Sequence, residues 1–462
     1  MSINLRRKEF SMFNVKDYGA KGDGIVMDSC AIQKAIDACF EAGGGTVYIP
    51  EGKYLCATIH IKANVHIWLD KGALILGSKN TDDFDDYETD AADIEFQDRS
   101  HSYFHHSLFH ADNANDIAIT GYGKIDMQSA WEDREYTDCH GKTYKWCRGA
   151  KAIAFKECTN VVIRDLVIRN VTDLAVYVAG CENVTISGLN IFSHVDGISP
   201  DSCKNVTISD CIVDTGDDAI VPKCSYTLGR MKAMENLTIS NCVVRSAVAA
   251  IKFGTESNSA YINTTVTGCT IYDTGTTGIG LKTADGALVE GFSISNISMR
   301  NVAVPILLMV GFRARGPVGT EIGQMRNVSI SNVMITGPYP DDFDMTMAQN
   351  SGDYYKNDLR VRPVRLPFII AGQPDSIIKN VSLSNIQFVA PGGGTEADRE
   401  YKMKEYREEY PHAKAYGNRA PAYGMFARHV DNLKLYNVEF ETYKEDARDA
   451  IVLENVTHFK QV

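Results

Sequence analysis

The sequence predicts an all-β protein, a right-handed, single-stranded parallel β-helix with an N-terminal capping helix. Three observations lead to this prediction: a strand motif that recurs along most of the chain, the near absence of helical periodicity after the first fifty residues, and one amphipathic helix before that point. With 462 residues, 44% of them hydrophobic, the chain can bury one long core. We therefore expect residues 1–462 to form a single β-helix domain.

The recurring motif is an asparagine followed by an alternating strand, a polar corner and a second strand. It appears as "NVVIRDLVI", "NVTISGLNI" and "NVTISDCIV" and returns five more times, so that its copies begin at Asn160, Asn183, Asn205, Asn236, Asn263, Asn327, Asn380 and Asn432. One such unit cannot bury its inner face, whereas stacked units bury a continuous core. Leucine-rich repeats would need recurrent leucines and helices, and a β-propeller about four strands per 40 to 50 residues, so neither fits.

The helical period is clear once, in "DSCAIQKAIDACFEAGGG", where Asp28 is the predicted N-cap and the glycines from Gly43 end the helix. Its apolar face consists of Ala31, Ile32, Ala35, Ile36 and Cys39. Terminal units of a solenoid must hide apolar surface and strand edges, so we expect residues 13–60 to form the capping helix and the first strands.

Two long segments near the C-terminal end, residues 338–367 and 391–424, interrupt the repeat. The second contains a charged stretch from Thr395 with a helical pattern and several tyrosines. Long loops on a rigid scaffold are usually functional or disordered, and the tyrosines favour walls beside a binding groove.

Composition excludes several classes of partner. The net charge of -12, without any Lys/Arg block, argues against a nucleic acid or an anionic membrane surface. No apolar run approaches the roughly 18 residues of a membrane span, and the N-terminus lacks the apolar segment of a signal peptide. We expect a cytoplasmic protein, or a secreted one if a leader has been removed. Several of the 12 cysteines recur in the repeat, as in "KECTNV", "AGCENV" and "DSCKNV", and are predicted to be small buried hydrophobes.

An unusual density of aspartates occurs in "SHVDGISPDSCKNVTISDCIVDTGDDAIVPK". Asp196 follows Asn183 by 13 residues and Asp218 follows Asn205 by 13, which predicts one column on adjacent rungs about 4.8 Å apart, with Asp217 beside them. A solvated corner or a structural Ca²⁺ site would also use aspartates. Three converging acids instead favour acid–base chemistry, because close carboxylates push their proton affinities apart. Glycoside hydrolysis needs such an acid and such a base.

This stretch resembles the signature of glycoside hydrolase family 28, the polygalacturonases and rhamnogalacturonan hydrolases, with Asp217 and Asp218 following Asp196 at spacings of 21 and 22 residues. The opening "FNVKDYGAKGDGIVMDSCAIQKAIDACFEAGGGTVYIPEGKYL" resembles the same family and related pectin-acting β-helix proteins, which implies a pectate-lyase-like solenoid. The resemblance further implies inverting hydrolysis of a galacturonosyl linkage without metal or other cofactor. Asp217 would be the general acid, and Asp196 with Asp218 would hold and deprotonate the attacking water.

The chain departs from the family pattern at two motifs. Ala249 stands where polygalacturonases carry histidine, and Gly280 stands where they carry arginine, whereas Lys282 of that second motif is retained. Losing the arginine removes a bidentate fork for a uronate carboxylate, which lysine replaces only as a point charge. Rhamnogalacturonan-type substrates therefore fit somewhat better than plain homogalacturonan.

Further polar residues are candidates for binding the substrate. His194 occupies a usual asparagine position and is either a titrating neighbour of Asp196 or a hydrogen-bonded corner residue. Asp173, at the same 13-residue offset from Asn160, either extends the acidic patch or is a satisfied turn residue. The predicted substrate-binding set is Lys282, Lys252, His194, Glu256, Asp173 and Arg313, followed by Arg315, Arg428 and His429.

The sequence thus predicts a glycoside hydrolase that acts on oligo- or polysaccharides containing galacturonic acid. The C-terminal insertions and the lack of a secretion signal favour exo action on oligosaccharides. Two alternatives stay open: a Ca²⁺-dependent polysaccharide lyase that uses a basic residue to abstract a proton, and a β-helix that binds carbohydrate without catalysis.

Overall fold

The computed structural model describes residues 12–88, 96, 98–131, 134–137, 143–146, 149–339 and 365–462. The first strands are β1 (Met12–Asn14), β2 (Asp23–Met27), β3 (Gly45–Ile49), β4 (Gly52–Cys56), β5 (Ile59–His60), β6 (Val65–Leu69), β7 (Ala73–Gly77), β8 (Ser107–Asp112), β9 (Asn115–Gly121), β10 (Lys124–Asp126), β11 (Arg134–Thr137) and β12 (Thr143–Trp146). The middle strands are β13 (Lys151–Lys156), β14 (Thr159–Arg164), β15 (Val167–Val171), β16 (Val176–Ala179), β17 (Glu182–Ser187), β18 (Asn190–Ser193), β19 (Ile198–Asp201), β20 (Lys204–Ser209), β21 (Ile212–Thr215), β22 (Met234–Ser240), β23 (Val243–Ser246) and β24 (Ala249–Phe253). The last strands are β25 (Ala260–Thr267), β26 (Thr270–Thr283), β27 (Leu288–Val310), β28 (Gln324–Thr336), β29 (Phe368–Ala371), β30 (Ile378–Ala390), β31 (Ala422–Thr442), β32 (Asp449–Thr457) and β33 (Lys460–Gln461).

These strands stack in three parallel columns, apart from the antiparallel hairpin of β11 and β12. Column A begins at the recurrent asparagines and includes β14, β17, β20, β22 and β25. Column B includes β15, β18, β21 and β23, and column C includes β8, β13, β16, β19 and β24. From β26 onward, long bent strands run through more than one column. The predicted parallel β-helix is confirmed.

Inward-facing side chains of successive rungs form continuous stacks. In column C, five isoleucines in register, Ile198, Ile220, Ile251, Ile279 and Ile306, have no exposed surface. Burial of each such side chain contributes about 1.5 to 3 kcal/mol. The stack fixes the height of each rung and therefore the spacing of the turns that precede column C.

The recurrent asparagines adopt the left-handed backbone conformation, with φ of 56° at both Asn183 and Asn205. Their side chains form a ladder in which each Nδ2 donates to the Oδ1 of the rung before. Asn183 donates to Asn160 at 3.0 Å, and Asn205 donates to Asn183 at 2.9 Å. The asparagines are thus turn residues, as the sequence indicated.

The predicted capping helix is α1 (Ser29–Glu41), which packs on the first strands with Ile32, Ala35, Ile36 and Cys39 buried. Asp28 precedes it, but its carboxylate does not cap the helix. It accepts instead from the backbone N–H groups of Lys21 and Gly22, at 2.6 and 2.9 Å, and so fixes the preceding turn.

The second insertion contains much less helix than the sequence predicted. Only α2 (Glu396–Arg399) and a single 3₁₀ turn, Ala413–Tyr416, are regular. The backbone carbonyls of Tyr406 and Arg407 accept from Gln373 and Phe312 at 2.8 and 2.5 Å, and such carbonyls are not available for helical hydrogen bonds. Contacts with the β-helix therefore override local helix propensity. Most of the first insertion, residues 340–364, lies outside the described residues.

The recurring cysteines of the motif, Cys158, Cys181 and Cys203, are buried and unpaired, as predicted. None of the described helices combines the length and apolar character that crossing a membrane would need.

Candidate active site

The three predicted aspartates lie together in the turns that lead into column C. Asp196 precedes β19, and Asp217 and Asp218 follow β21. One carboxylate oxygen from each lies within 4.8 Å of the other two. Asp196 and Asp218 are almost fully buried, whereas Asp217 is only partly buried. We call these three residues the aspartate cluster.

The stacking of this cluster follows the predicted register. The N–H of Gly197 donates to the carbonyl of Asp218 at 3.0 Å, and the N–H of Ala219 donates to that of Ala249 at 2.9 Å. Asp218 therefore lies between Asp196 and Ala249. Its own N–H donates to Oδ1 of Asp196 at 3.2 Å, so the two acids are linked through the backbone.

The predicted column position of Asp173 is wrong. A β-bulge between Arg169 and Val171 places one extra residue in that rung, so Leu174 stacks below Asp196. Asp173 has no exposed surface, bonds the N–H of Leu174 at 2.9 Å and lies 3.7 Å from Lys151 Nζ. Its side chain belongs to the packing and does not reach substrate in this conformation.

Three lysines, which we call the lysine group, surround the cluster: Lys223, Lys252 and Lys282. Lys252 donates to Oδ2 of Asp218 and is only 5% exposed. It therefore contacts a carboxylate of the cluster, whereas the sequence led us to expect a substrate contact. Lys282 makes no ion pair or hydrogen bond with the described residues. Burial, with the ammonium groups of Lys252 and Lys223 nearby, lowers the pKa of Lys282 to about 7.

Glu256 and Arg313 were predicted to bind substrate, but both are held in a buried ion-pair network. Glu256 accepts from Lys223 at 2.6 Å and lies 3.7 Å from Arg313, which forms a bidentate pair with Asp285 at 2.6 and 3.0 Å. Burial opposes ionisation of Glu256, yet Lys223 and Arg313 hold its pKa well below the ordinary value. Their charges are satisfied internally, so the network supports the floor of the site.

His194 is a hydrogen-bonded corner residue, one of the two interpretations of the sequence. Its Nε2 lies 2.9 Å from Ser129 Oγ, and its ring lies 5.8 Å from that of Trp131. Trp131 was not among the predicted site residues, because nothing in the local pattern indicates that this loop returns to the turn beside Asp196.

Arg428 and His429 anchor the second insertion. Arg428 pairs with Glu454 at 2.6 Å and donates to the carbonyl of Met403 at 2.7 Å. His429 Nε2 lies 2.7 Å from a carboxylate oxygen of Glu405. These two residues act far along the column from the aspartates and hold the insertion against the β-helix.

The outward face of column C forms the floor of the site, and both of its ends are covered. In register along the column, the floor consists of Ala154, Tyr177, Ser199, Val221, Lys252, Gly280, Leu307, Ile369 and Phe426. At the N-terminal end Phe104 stacks on Tyr177, with ring centroids 5.1 Å apart. We call residues 98–104 the N-terminal wall.

Residues 396–416 form the C-terminal wall. Met403, Ala413 and Tyr416 pack on the floor at Leu307 and Ile369. Tyr410 reaches back towards the aspartates, where its hydroxyl accepts from Thr255 Oγ1 at 2.8 Å while 42% of the residue stays exposed.

The N-terminal wall also meets the loop after β27, where Arg315 lies 3.7 Å from Asp98. The stretch of floor between the two walls lies beside the aspartate cluster and the lysine group, and its side chains are themselves buried. Of the tyrosines in the second insertion, Tyr410 contacts Thr255 and Tyr416 packs on the floor.

The aspartate oxygens are close enough together to hold a cation, and no other such group of His, Cys, Asp or Glu occurs among the described residues. Ca²⁺ takes six to eight oxygen ligands. The ammonium of Lys252 contacts one of the three carboxylates, so the chain already supplies a positive charge at this point. The donor set fits a lysine-neutralised acid cluster better than a calcium cage.

The chain is similar to known polygalacturonases. A probable polygalacturonase of Vitis vinifera is 28% identical over 220 residues, a match that spans 46% of this chain and only 44% of the plant protein. An exopolygalacturonase of Platanus acerifolia is 27% identical over 339 residues, or 70% of this chain and 82% of that protein.

A solved family 28 exopolygalacturonase of Yersinia enterocolitica covers 97% of this chain and 78% of its own, with a TM-score of 0.67 and 19% identity. This likeness confirms the right-handed parallel β-helix. The family model for glycosyl hydrolases family 28 matches residues 73–351, which is more than half of the chain. The chain belongs to glycosyl hydrolase family 28, a family of glycoside hydrolases, as its aspartate spacing predicted.

Proposed function

We propose that the protein is an exo-acting glycoside hydrolase that releases a galacturonosyl unit from the end of a pectin-derived oligosaccharide. The observation that carries the proposal is the aspartate cluster, which lies on a short floor beside Lys282, a lysine without a hydrogen-bonded or ion-paired partner in the described part of the chain. The names of the plant relatives and of the solved neighbour support the substrate class.

Asp217 is the proposed general acid. Close carboxylates repel one another when all are ionised, so a cluster of this kind favours one protonated member. Asp217 is the least buried of the three, which suits the group that must reach the glycosidic oxygen, and its carbonyl accepts from Thr215 Oγ1 at 2.7 Å. It donates its proton to the glycosidic oxygen as that bond breaks.

Asp196 and Asp218 are the proposed bases. The link from the Asp218 N–H to Asp196 sets their relative position. Oδ1 of Asp218 is buried and accepts no hydrogen bond within the described part of the chain. This oxygen accepts a proton from water as the water oxygen attacks the anomeric carbon, so that one water is consumed for each bond cleaved.

Lys282 is the proposed receptor for the uronate carboxylate. A Cβ at Gly280 would lie 3.2 Å from Cε of Lys282, so the lysine stem packs where an arginine side chain would begin. A lone ammonium binds a carboxylate as a point charge and sets few constraints on its orientation. This supports a substrate class broader than unsubstituted homogalacturonan, including rhamnogalacturonan-type oligosaccharides.

The two walls support the proposal of exo action. Phe104 covers one end of the floor and the insertion with Met403 covers the other, so a polysaccharide cannot lie along the whole column. A chain end can still enter beside Tyr410, whose exposed ring offers a face for a sugar.

The family signature implies inversion at the anomeric carbon. One oxygen of each carboxylate lies within 4.8 Å of one oxygen of each of the other two, which is closer than the roughly 6.5 to 9.5 Å typical of inverting pairs. The anomeric configuration of the first product, followed by NMR, therefore decides between direct attack by water and a covalent intermediate.

The proposal is tested by incubating the protein with oligogalacturonides and rhamnogalacturonan oligosaccharides and analysing the products by mass. We expect single units to leave one end, each product carrying one added water, and Asp217→Asn to abolish release. Asp210→Asn is a matched control, because Asp210 lies in the same stretch but is exposed at an outer turn. Unsaturated products would indicate a lyase, and unchanged behaviour of Asp217→Asn would indicate binding without catalysis.

A further inference from the structure

On the rung after Asp218, the position in line with the acids holds a residue whose side chain cannot take part in acid–base chemistry. Ala249 follows Asp218 in register, and a methyl group can neither carry charge nor exchange a proton. The family signature has a histidine at this place, so in this chain a cation beside the aspartate cluster has to come from another position.

Lys252 lies three residues further along β24, on the outward face. Its ammonium contacts Oδ2 of Asp218, and almost the whole side chain is buried. Of the lysine group, Lys223 is instead paired with Glu256, and Lys282 contacts none of the described acids. Within the described residues, Lys252 is thus the one cation in contact with the cluster.

We propose that Lys252 is a positioning residue for the aspartate cluster, in a chain that lacks the family histidine. Its ammonium holds Oδ2 of Asp218, so that Oδ1 is left to face the water, and its positive charge favours the division of roles in which Asp217 is the acid. This inference rests on the proposed hydrolase function, and it concerns how the acids divide their roles.

The charged neighbours are consistent with this division. Burial disfavours the ammonium of Lys252, but Asp218, Tyr410 and Asp217 raise its pKa well above the ordinary value. Lys252 therefore keeps its charge across the range in which a histidine would lose it. The titratable and charged groups that face Lys252 and Asp218 are Asp196, Asp217, Lys223, Glu256, Lys282 and Tyr410.

The first test compares Lys252→Met with Lys252→Arg, Lys252→His and, as a control, Lys204→Met, an exposed lysine of column A. We expect Lys252→Met to lower kcat about a hundredfold with little change in KM, and to move the acidic limb of the pH profile up by about one unit. Lys252→Arg should recover kcat to within about tenfold of wild type. Lys252→His should lose activity above about pH 7, as the imidazole loses its charge.

A change in KM alone in Lys252→Met would overturn the proposal, since it would make Lys252 a substrate contact. An unchanged kcat and pH profile would do the same. Circular dichroism and the thermal midpoint establish whether each variant folds. If Lys252→Met does not fold, Lys252→Arg still provides a test, because it keeps the positive charge.

A second readout needs no substrate. NMR titration of aspartate side chains labelled at the carboxyl carbon should show the cluster taking up its first proton at higher pH in Lys252→Met than in wild type. Identical titrations would overturn the role of Lys252 even if the wild type is a hydrolase. If the titrations differ while the wild type cleaves no galacturonate, the ionisation role stands and the proposed function fails.

Discussion

At two places the solenoid stacks identical residues on successive rungs, and the electrostatic consequences are opposite. In the outer ladder, Asn183, Asn205 and their equivalents donate and accept in turn, so every rung satisfies the next. In the turn before column C, Asp196 and Asp218 stack at the same spacing, but carboxylates only accept. Repetition therefore stabilises the amide ladder and concentrates negative charge at the acidic column, where Lys252 offsets part of it.

The largest expected effect comes from replacing a stacked aspartate with asparagine, the residue that forms the outer ladder. Asp218→Asn keeps the shape and removes the charge, and we expect kcat to fall by about a thousandfold or more because the water loses its base. The fold should persist, since asparagines stack readily elsewhere in the solenoid. Steady-state kinetics measure the loss, with Asp210→Asn as the matched control, and an active Asp218→Asn would show that stacked charge is not needed.

The next effect concerns Lys282, which contacts no acid among the residues that the structure describes. Lys282→Met should raise KM for an anionic oligosaccharide by about ten- to a hundredfold, since a hydrogen bond to a charged group contributes about 1.5 to 3 kcal/mol. A methyl-esterified substrate serves as the control, because it offers no carboxylate and should show little change.

The pKa of Lys282 near 7 adds a pH dependence to the same residue. Lysine is charged below its pKa, so wild-type kcat/KM on anionic substrates should fall as pH rises above about 7. Because kcat/KM reports ionisation in the free enzyme, this fall reflects the loss of the charge on Lys282 before substrate binds. The fall should be absent in Lys282→Met. A profile that stays level up to pH 9 in the wild type would contradict the assignment of Lys282 as the carboxylate receptor.

The smallest effect lies in the amide ladder itself. Asn380 has φ of 58°, donates to Asn327 at 2.9 Å and accepts from Asn432 at 2.8 Å. Asn380→Ala should destabilise the protein by about 1 to 3 kcal/mol, from the left-handed backbone and the lost hydrogen bonds. Denaturant unfolding measures the change, and activity should be unaltered.

Asn380→Gly separates the two causes, because glycine adopts the left-handed conformation without penalty. We expect it to recover only the backbone part of the loss. Equal stability of the alanine and glycine variants would mean that the ladder hydrogen bonds, and not the turn conformation, account for the effect.

The repeat made the fold and the aspartate column predictable. A fixed offset from each asparagine placed Asp196 and Asp218 together, because strand stacking keeps register wherever the rung length is constant. The same rule failed at Asp173, since the bulge near Asn170 adds one residue to that rung and sequence pattern does not reveal a bulge.

The charged residues around the cluster were predictable in kind but not in role. Lys252, Glu256 and Arg313 were expected to face the substrate, yet each is paired with another buried charge. Pairing partners come from neighbouring rungs, so they depend on side-chain geometry that spacing alone does not fix. Lys223 was missed for the same reason, and Tyr410 because the insertion folds back on the column through tertiary contacts.

In the proposed reaction, the aspartate cluster cleaves a galacturonosyl bond with water. The most direct measurement is cleavage of an oligogalacturonide in heavy-oxygen water, followed by mass spectrometry of both products. Hydrolysis by the cluster should place one heavy oxygen in the product that gains the new reducing end, and Asp217→Asn should form no such product. An unsaturated product without heavy oxygen would contradict the proposed reaction.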